Sequence, residues 1–268
     1  MKKQFKLGVI GCGFDAISVL RGVVLSDFIR EKKIIVSDKD EAQLDKVEYL
    51  GICTTLDNRF VAENSEYVLL AVSIKDFDKV AEDISGIRLE KVISIIGGLP
   101  KSHIKNALGV GLIRVARAVM NIPCSIGSGT IGIDMLDYNK CTDDTDFISN
   151  IFNKLGVVVS LEESKLDAIS AMCGNSAHTL MYIDALIDAG TKCGLSKSEA
   201  KILAVQSVLG TAEILQREEY TGEQLMLQTC NDGNCALESV KVLENGDFRK
   251  LICNAVSASE AKIKEYRK

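Results

Sequence analysis

FKLGVIGCGFDAISVLR, residues 5–21, runs from an apolar stretch (Leu7, Val9, Ile10) into Gly11-Cys12-Gly13 and then directly into a helical pattern (Ala16, Ile17, Val19, Leu20). The order is strand, tight turn, helix. In the G-x-G-x-x-G/A pattern, Gly11 permits the turn, Gly13 lets the backbone approach a pyrophosphate, and Ala16 is small enough for the helix to lie close to the strand. Free N–H groups opening that helix are the expected seat of the phosphates, with Phe14 and Asp15 completing the turn. A charge at Asp15 is unhelpful beside a pyrophosphate unless its side chain faces solvent. Any βα turn can carry two glycines for packing alone. Context favours the ligand: this is the first strand, a helical pattern follows, and a second strand (Lys33–Val36) ends in Ser37-Asp38, twenty-two residues beyond Ala16. An acid there accepts the ribose 2′-OH of NAD and repels the 2′-phosphate of NADP. The expected cofactor is therefore NADH or NADPH, with Asp38 favouring NADH.

From this start, short β-rich runs alternate with helical ones. A charged helix (41–49), a short strand (51–53) and a helix capped by Asp57 lead to the apolar strand 67–72, a helix (77–84) and the strand 92–96, closed by Gly97-Gly98. Near-continuous apolar strands belong in the middle of a parallel sheet. The fold class is α/β, a Rossmann-type doubly wound sheet. Dinucleotides bind outside the carboxyl ends of such strands, which assigns the nicotinamide end to Ala71, Val72 and Ser73 and to Gly97 and Gly98. A strand at 112–118, the glycine-spaced run 126–133, a helix at 144–155 and a strand at 157–160 complete a dinucleotide-binding domain, residues 1–160. After Leu161 strand signals stop. Residues 161–268 read as an all-α domain with helices near 164–173, 177–193, 197–216, 222–227, 235–244 and 248–266. The segment 180–189 is apolar nearly all round, which fits either a central core helix or burial against a second subunit.

Composition narrows the function. With 47% hydrophobic and 26% charged residues and a net charge of −5, the 268-residue chain reads as globular, with neither nucleic acid nor anionic membrane as its main partner. No apolar run approaches the length of a membrane span and no signal peptide is evident, so a cytoplasmic location is expected. Nine scattered cysteines without C-x-x-C and two histidines without H-E-x-x-H imply reduced thiols and no metal site. No G-x-S-x-G is present, so a hydrolase reading lacks its nucleophile.

Three segments then carry a resemblance to the pyrroline-5-carboxylate reductase family. Arg117-Ala118-Val119-Met120-Asn121-Ile122-Pro123 is similar to the family's R-x-M-P-N-x-P and keeps Arg117, Asn121 and Pro123. Residues 173–179, CGNSAHT, stand where the family has S-G-S-G-P-A-Y and keep Gly174, with Ala177 and Thr179 in place of the proline and tyrosine. Residues 231–236, NDGNCA, stand for S-P-G-G-T-T and keep Gly233, with Ala236 in place of the substrate-binding threonine. The resemblance implies reduction of a cyclic imine, 1-pyrroline-5-carboxylate, to proline, and a homo-oligomer, at least a homodimer, formed through the C-terminal helices. It further implies that backbone N–H groups of Asn231, Asp232, Gly233, Asn234, Cys235 and Ala236 hold the substrate carboxylate, with Asn175 nearby. Asp232 would repel that carboxylate unless it caps the helix and faces away. Asn121 is expected beside the nicotinamide or substrate. His178 is the candidate proton donor, against a space-filling role where the proline and tyrosine are lost. Because the altered loops depart from the family pattern, two alternatives stand beside proline formation: a dinucleotide-binding regulatory protein, and a reductase of a different imine or keto acid.

Overall fold

The structure is a computed structural model and describes residues 3–109, 111–174, 176–217, 220–230 and 234–265. The chain divides into two compact units, Met1–Asn175 with Ala258–Lys268, and Ser176–Ser257; the change of sequence character, by comparison, falls at residue 161.

The first unit is built on one eight-stranded sheet, β1 (Phe5–Ile10), β2 (Ile34–Ser37), β3 (Cys53–Thr55), β4 (Ser65–Leu70), β5 (Lys91–Ser94), β6 (Arg114–Met120), β7 (Gly129–Asp134) and β8 (Gly156–Ser160), in the order β3-β2-β1-β4-β5-β6-β7-β8. Every pairing is parallel except β6 with β7. Val9, Leu69 and Ile93 point to one core with Val19, Leu20 and Val23 of α1 (Phe14–Leu25) and Ile148, Ile151 and Phe152 of α6 (Thr142–Asn153). Ile10, Val68 and Val92 point to the opposite core. There they meet Val61 and Ala62 of α3 (Asn58–Asn64), Phe77 and Ala81 of α4 (Ile74–Asp83), and Ile104 and Leu108 of α5 (Lys101–Leu108). Apolar residues therefore alternate between two covered faces, as a doubly wound sheet requires. The chain leaves β1 toward β2 on one side and returns at β4 on the other, so strand order reverses between β1 and β4. A crevice opens at their carboxyl ends.

Three local readings change. The charged stretch after Asp40 forms only one α-turn, α2 (Glu41–Leu44), before tightening into 3-10 geometry over Asp45–Leu50. The glycine-spaced run contains β7, an antiparallel strand. At Gly132 an added Cβ would lie 2.4 Å from Ile169 Cδ1, so the Ile169 side chain would have to shift to admit one. The expected helix 164–173 is instead a 3-10 turn (Glu163–Lys165), a single α-turn α7 (Leu166–Ile169) and a π-turn (Ser170–Gly174).

The second unit is helical: α8 (Ala177–Lys192), α9 (Lys197–Arg217), α10 (Gly222–Thr229) and α11 (Cys235–Asn245), followed by α12 (Phe248–Glu265), which crosses the unit boundary at Ser257. Its small core joins Ile187 to Ala200 and Ala204. Ile187 is the one buried residue of α8, while Met181 is 77%, Ile202 69% and Val242 71% exposed. The apolar character of 180–189 is thus not accounted for by burial within one chain. Among the described residues no helix is long and apolar enough to cross a membrane.

Candidate functional site

The Gly-rich turn sits at the strand-order reversal. Gly11 adopts φ +95°, donates its N–H to Ser37 O at 2.8 Å, and lies so near β4 that an added Cβ would be 2.7 Å from Ala71 O. Gly13 differs in kind. It is the N-cap of α1 with φ −74° and no side-chain cap, and a Cβ there would meet nothing within 4 Å. Gly11 is needed by the fold. Gly13 leaves open space before the uncapped helix start, as a close-lying anion would need.

That space belongs to a cleft of about 750 Å³ lined by Gly11, Gly13, Phe14, Asp38, Ala71, Val72 and Ser73 from the sequence-derived set. The Asp38 carboxylate braces the turn, accepting the Cys12 N–H at 2.7 Å and the Asp40 N–H at 3.0 Å. Burial, with Asp38 nearby, pushes the Cys12 thiol up to about 11, so this cysteine is a packing thiol rather than a nucleophile. Sequence reasoning missed Lys39, Lys46, Asn58, Asp76 and Lys79, which also line the cleft. Lys39 and Asp76 reach across it to pair at 2.8 Å, and Ser73 Oγ donates to the second Asp76 oxygen at 2.8 Å. Hydrogen bonding and charge within the pair raise the Lys39 pKa and lower that of Asp76. Lys39, Asn58 and Asp76 follow the ends of β2, β3 and β4, so the rule that picked Asp38 and Ser73, extended by one turn at each strand, would have found them.

The remaining predicted cofactor residues do not line this cleft. Ala16 is wholly buried, so its side chain serves helix–strand packing and touches no ligand. Asp15 is exposed, in surroundings whose desolvation raises its carboxyl pKa. In the loop after β5, Gly97 is exposed with open space where a side chain would be, and Gly98 is buried in the left-handed region at φ +76°. Asn121 changes role. Its Oδ1 accepts the Thr130 N–H at 2.8 Å and its Nδ2 donates to Cys173 O at 3.1 Å, so the amide expected beside nicotinamide or substrate ties β7 and the π-turn to the end of β6.

In the second unit, His178 is the second residue of α8 and half-buried. Asn175, Asn231, Asp232 and Gly233 lie outside the described residues. Asn234 is the N-cap of α11; its Oδ1 accepts the Ala236 N–H at 3.1 Å and its Nδ2 donates to Thr229 O at 2.9 Å. Cys235 is exposed. One of the N–H groups expected to receive a carboxylate is therefore already capped by a neighbouring side chain, which an incoming anion must displace.

Two family models match the chain: NADP oxidoreductase coenzyme F420-dependent over residues 6–98, and pyrroline-5-carboxylate reductase dimerisation over residues 163–266. The pyrroline-5-carboxylate reductase of Synechocystis sp. is 31% identical, with 99% of each chain covered. A solved pyrroline-5-carboxylate reductase from Coxiella burnetii superposes with a TM-score of 0.84 at 28% identity, covering 99% of each chain. The Plasmodium falciparum pyrroline carboxylate reductase, solved with NADP bound, shares the fold at a TM-score of 0.87 and 23% identity over 100% of each chain. With that whole-length similarity added to the Gly-rich turn and the Arg117–Pro123 segment, the chain belongs to the pyrroline-5-carboxylate reductase family.

Proposed function

We propose that the protein reduces a cyclic imine, 1-pyrroline-5-carboxylate, to proline with a reduced nicotinamide dinucleotide, and that NADH is preferred. The observation that carries this reading is one cleft that joins an uncapped helix start behind Gly13 to the Asp38 carboxylate. Gly11 and Gly13 would seat the pyrophosphate, Asp38 would accept from the ribose diol, and Ala71–Ser73 with Gly97 and Gly98 would lie along the nicotinamide half. The reduced nicotinamide supplies a hydride equivalent to the imine carbon. The protein's own task is orientation and exclusion of water, because a protonated imine needs little further activation. His178 is the candidate group to hold a proton near the imine nitrogen. The backbone at the start of α11 would receive the substrate carboxylate in exchange for the Asn234 cap. The apolar helical faces of Met181, Ile202 and Val242 would be covered in a homo-oligomer of at least two chains.

Oxidation of NADH and of NADPH, followed at saturating 1-pyrroline-5-carboxylate, tests substrate and cofactor together. Faster turnover with NADH is expected. No affinity for either reduced dinucleotide would end the cofactor reading; binding without turnover would end the substrate reading. Ala236 and Thr179, where the family has a threonine and a tyrosine, favour one second reading, a related imine or keto acid as substrate. Failure to restore growth of a proline auxotroph, with turnover of another cyclic imine, would select it.

A further inference from the structure

Beyond the cleft, a buried ionic node lies at the carboxyl ends of β5 and β7, beside the middle of β6. Arg117 stands opposite Ser94 of β5 and Asp134 of β7 in the strand register. Arg117, Asp134, Asp167 and Lys101 are all buried. Asp134 accepts Lys101 Nζ at 2.6 Å, the Leu136 N–H at 2.9 Å and the Glu163 N–H at 2.6 Å. Glu163 Oε1 accepts the backbone N–H of Lys101 at 2.7 Å and lies 3.4 Å from Arg117 Nη1, while Arg117 Nη2 is 3.3 Å from Asp167.

The bond from Lys101 N–H to Glu163 gives this node a direction. Lys101 opens α5, and the N-cap residue Pro100 provides no side-chain cap. Glu163, 62 residues further along the chain, takes that place, and its negative charge suits a helix amino end. Ile95, Ile96 and Leu99 seat the loop between β5 and α5 in the two cores, while Gly97 is exposed and neither Gly97 nor Gly98 has a side chain to pack. At the far end Lys101 is held by two carboxylates, its Nζ by Asp134 and its backbone N–H by Glu163, which also meets Arg117.

We propose that Glu163 is a positioning residue that fixes the Gly97–Lys101 loop against the nicotinamide half of the dinucleotide, an inference that rests on the cofactor reading above. The Glu163 carboxylate touches neither cofactor nor substrate in this assignment; it acts through the loop.

Hydrogen exchange on the full-length protein, with and without NADH, tests this in wild type, Glu163→Gln and Glu163→Ala. Glu163→Gln keeps an oxygen for the Lys101 N–H, whereas Glu163→Ala removes it. Without ligand, exchange across residues 97–104 should rise in Glu163→Ala alone. NADH should protect that stretch in wild type and Glu163→Gln but not in Glu163→Ala, while protection of residues 11–17 persists in all three. In turnover, Glu163→Ala should lose about tenfold or more in kcat, because small misplacements of reacting groups are costly. Its Kd for NADH, read by fluorescence, should stay close to wild type, and Glu163→Gln should restore kcat. Should Glu163→Ala fail to fold, Glu163→Asp, which keeps the charge but withdraws the oxygen, takes its place. Unchanged exchange at 97–104, equal losses in both variants, or loosening spread over the whole protein would each overturn the inference. Protection by NADH at 11–17 but not at 97–104 in wild type would overturn it while leaving the cofactor reading intact. Absence of protection at both places would remove the reading itself.

Discussion

Gly11 and Gly13 look equivalent in the motif, yet the structure predicts opposite consequences for replacing them with alanine. At Gly13 the backbone is extended at φ −74° and an added methyl meets nothing within 4 Å. Restricting the unfolded chain contributes about 0.4–1 kcal/mol in favour of alanine. Alanine is the poorer N-cap by a comparable amount, roughly 0.5–1 kcal/mol. The two offset, so Gly13→Ala should unfold in urea within about 0.5 kcal/mol of wild type. The methyl would occupy the space assigned to the pyrophosphate. Losing one charge-assisted bond to the helix start costs about 1.5–3 kcal/mol, which is roughly ten- to a hundredfold in dinucleotide Kd. At Gly11 the balance reverses: φ is +95° and the new methyl would lie 2.7 Å from Ala71 O and 2.8 Å from Val72 Cγ1. Left-handed backbone costs about 1–2 kcal/mol and overpacking about 1–3 kcal/mol more, so Gly11→Ala should be destabilised by about 2–5 kcal/mol. Urea unfolding together with NADH fluorescence titration reads both quantities. Wild-type affinity in Gly13→Ala would refute the pyrophosphate seat, and wild-type stability in Gly11→Ala would refute the packing argument.

Asp38→Asn should move cofactor preference toward NADPH by roughly ten- to a hundredfold in kcat/KM ratio, since removing a charge several ångströms from a 2′-phosphate relieves about 1–3 kcal/mol; an unchanged ratio would place the ribose elsewhere. Asn121→Ala should destabilise the protein by about 1–3 kcal/mol in urea, because the Thr130 N–H and the Cys173 carbonyl each lose a partner. Stability should fall as pH is lowered below about 4. Burial alone would raise the Asp137, Asp144 and Glu66 carboxyls, yet Lys105 and the Val115 N–H at Asp137, Lys91 and Tyr67 at Asp144, and Lys6 and Lys91 at Glu66 bring all three below their ordinary values. Depressed folded-state values mean that this stabilisation is present above the unfolded carboxylate pKa and is lost as the folded values are crossed. Melting temperature against pH checks it, and Asp144→Asn should flatten the acid limb.

What the sequence showed and what it hid divide along the range of the interactions involved. The β1–turn–α1 unit was legible because Gly11, Gly13 and Ala16 answer to contacts within a few residues or to one neighbouring strand. The apolar runs of β4 and β5 were legible because both faces of the sheet are covered. The helix α5 went unread although Ile104 and Leu108 repeat at i,i+4 and Gly109 ends it in the left-handed region; its amino end gives no polar cap because its first N–H is capped by Glu163 rather than by a neighbour. The strand β7 was hidden behind glycines that are there to admit Ile169 and Cys124. The same limit applies in the cleft. Asp38 follows a rule about one strand end, but its loop neighbour Lys39 acquires a role only through Asp76. An amide such as Asn121 invites a ligand role until its two backbone partners, nine and 52 residues away, are seen.

Two of the positions at which the chain keeps its family's R-x-M-P-N-x-P pattern hold other segments in place. Asn121 ties two segments to the end of β6, and Arg117 sits fully buried between Glu163 and Asp167 at 3.3–3.4 Å, with no hydrogen-bond partner for its Nε among the described residues. A buried guanidinium with long contacts is a poor source of stability, because apolar side chains of similar volume commonly serve as well or better. Its physical value is directional: it fixes where two carboxylate-bearing segments stand relative to the strand ends. Among the positions that depart from the family, Ala177, Thr179 and Ala236 give up larger side chains while each keeps a backbone N–H. A reaction that depends on backbone N–H groups and on the placement of a nicotinamide tolerates the second kind of change far better than the first. Retention of Asn121 thus serves stability directly, while Arg117, for which stability is the weaker argument, sets where the Glu163 and Asp167 segments stand.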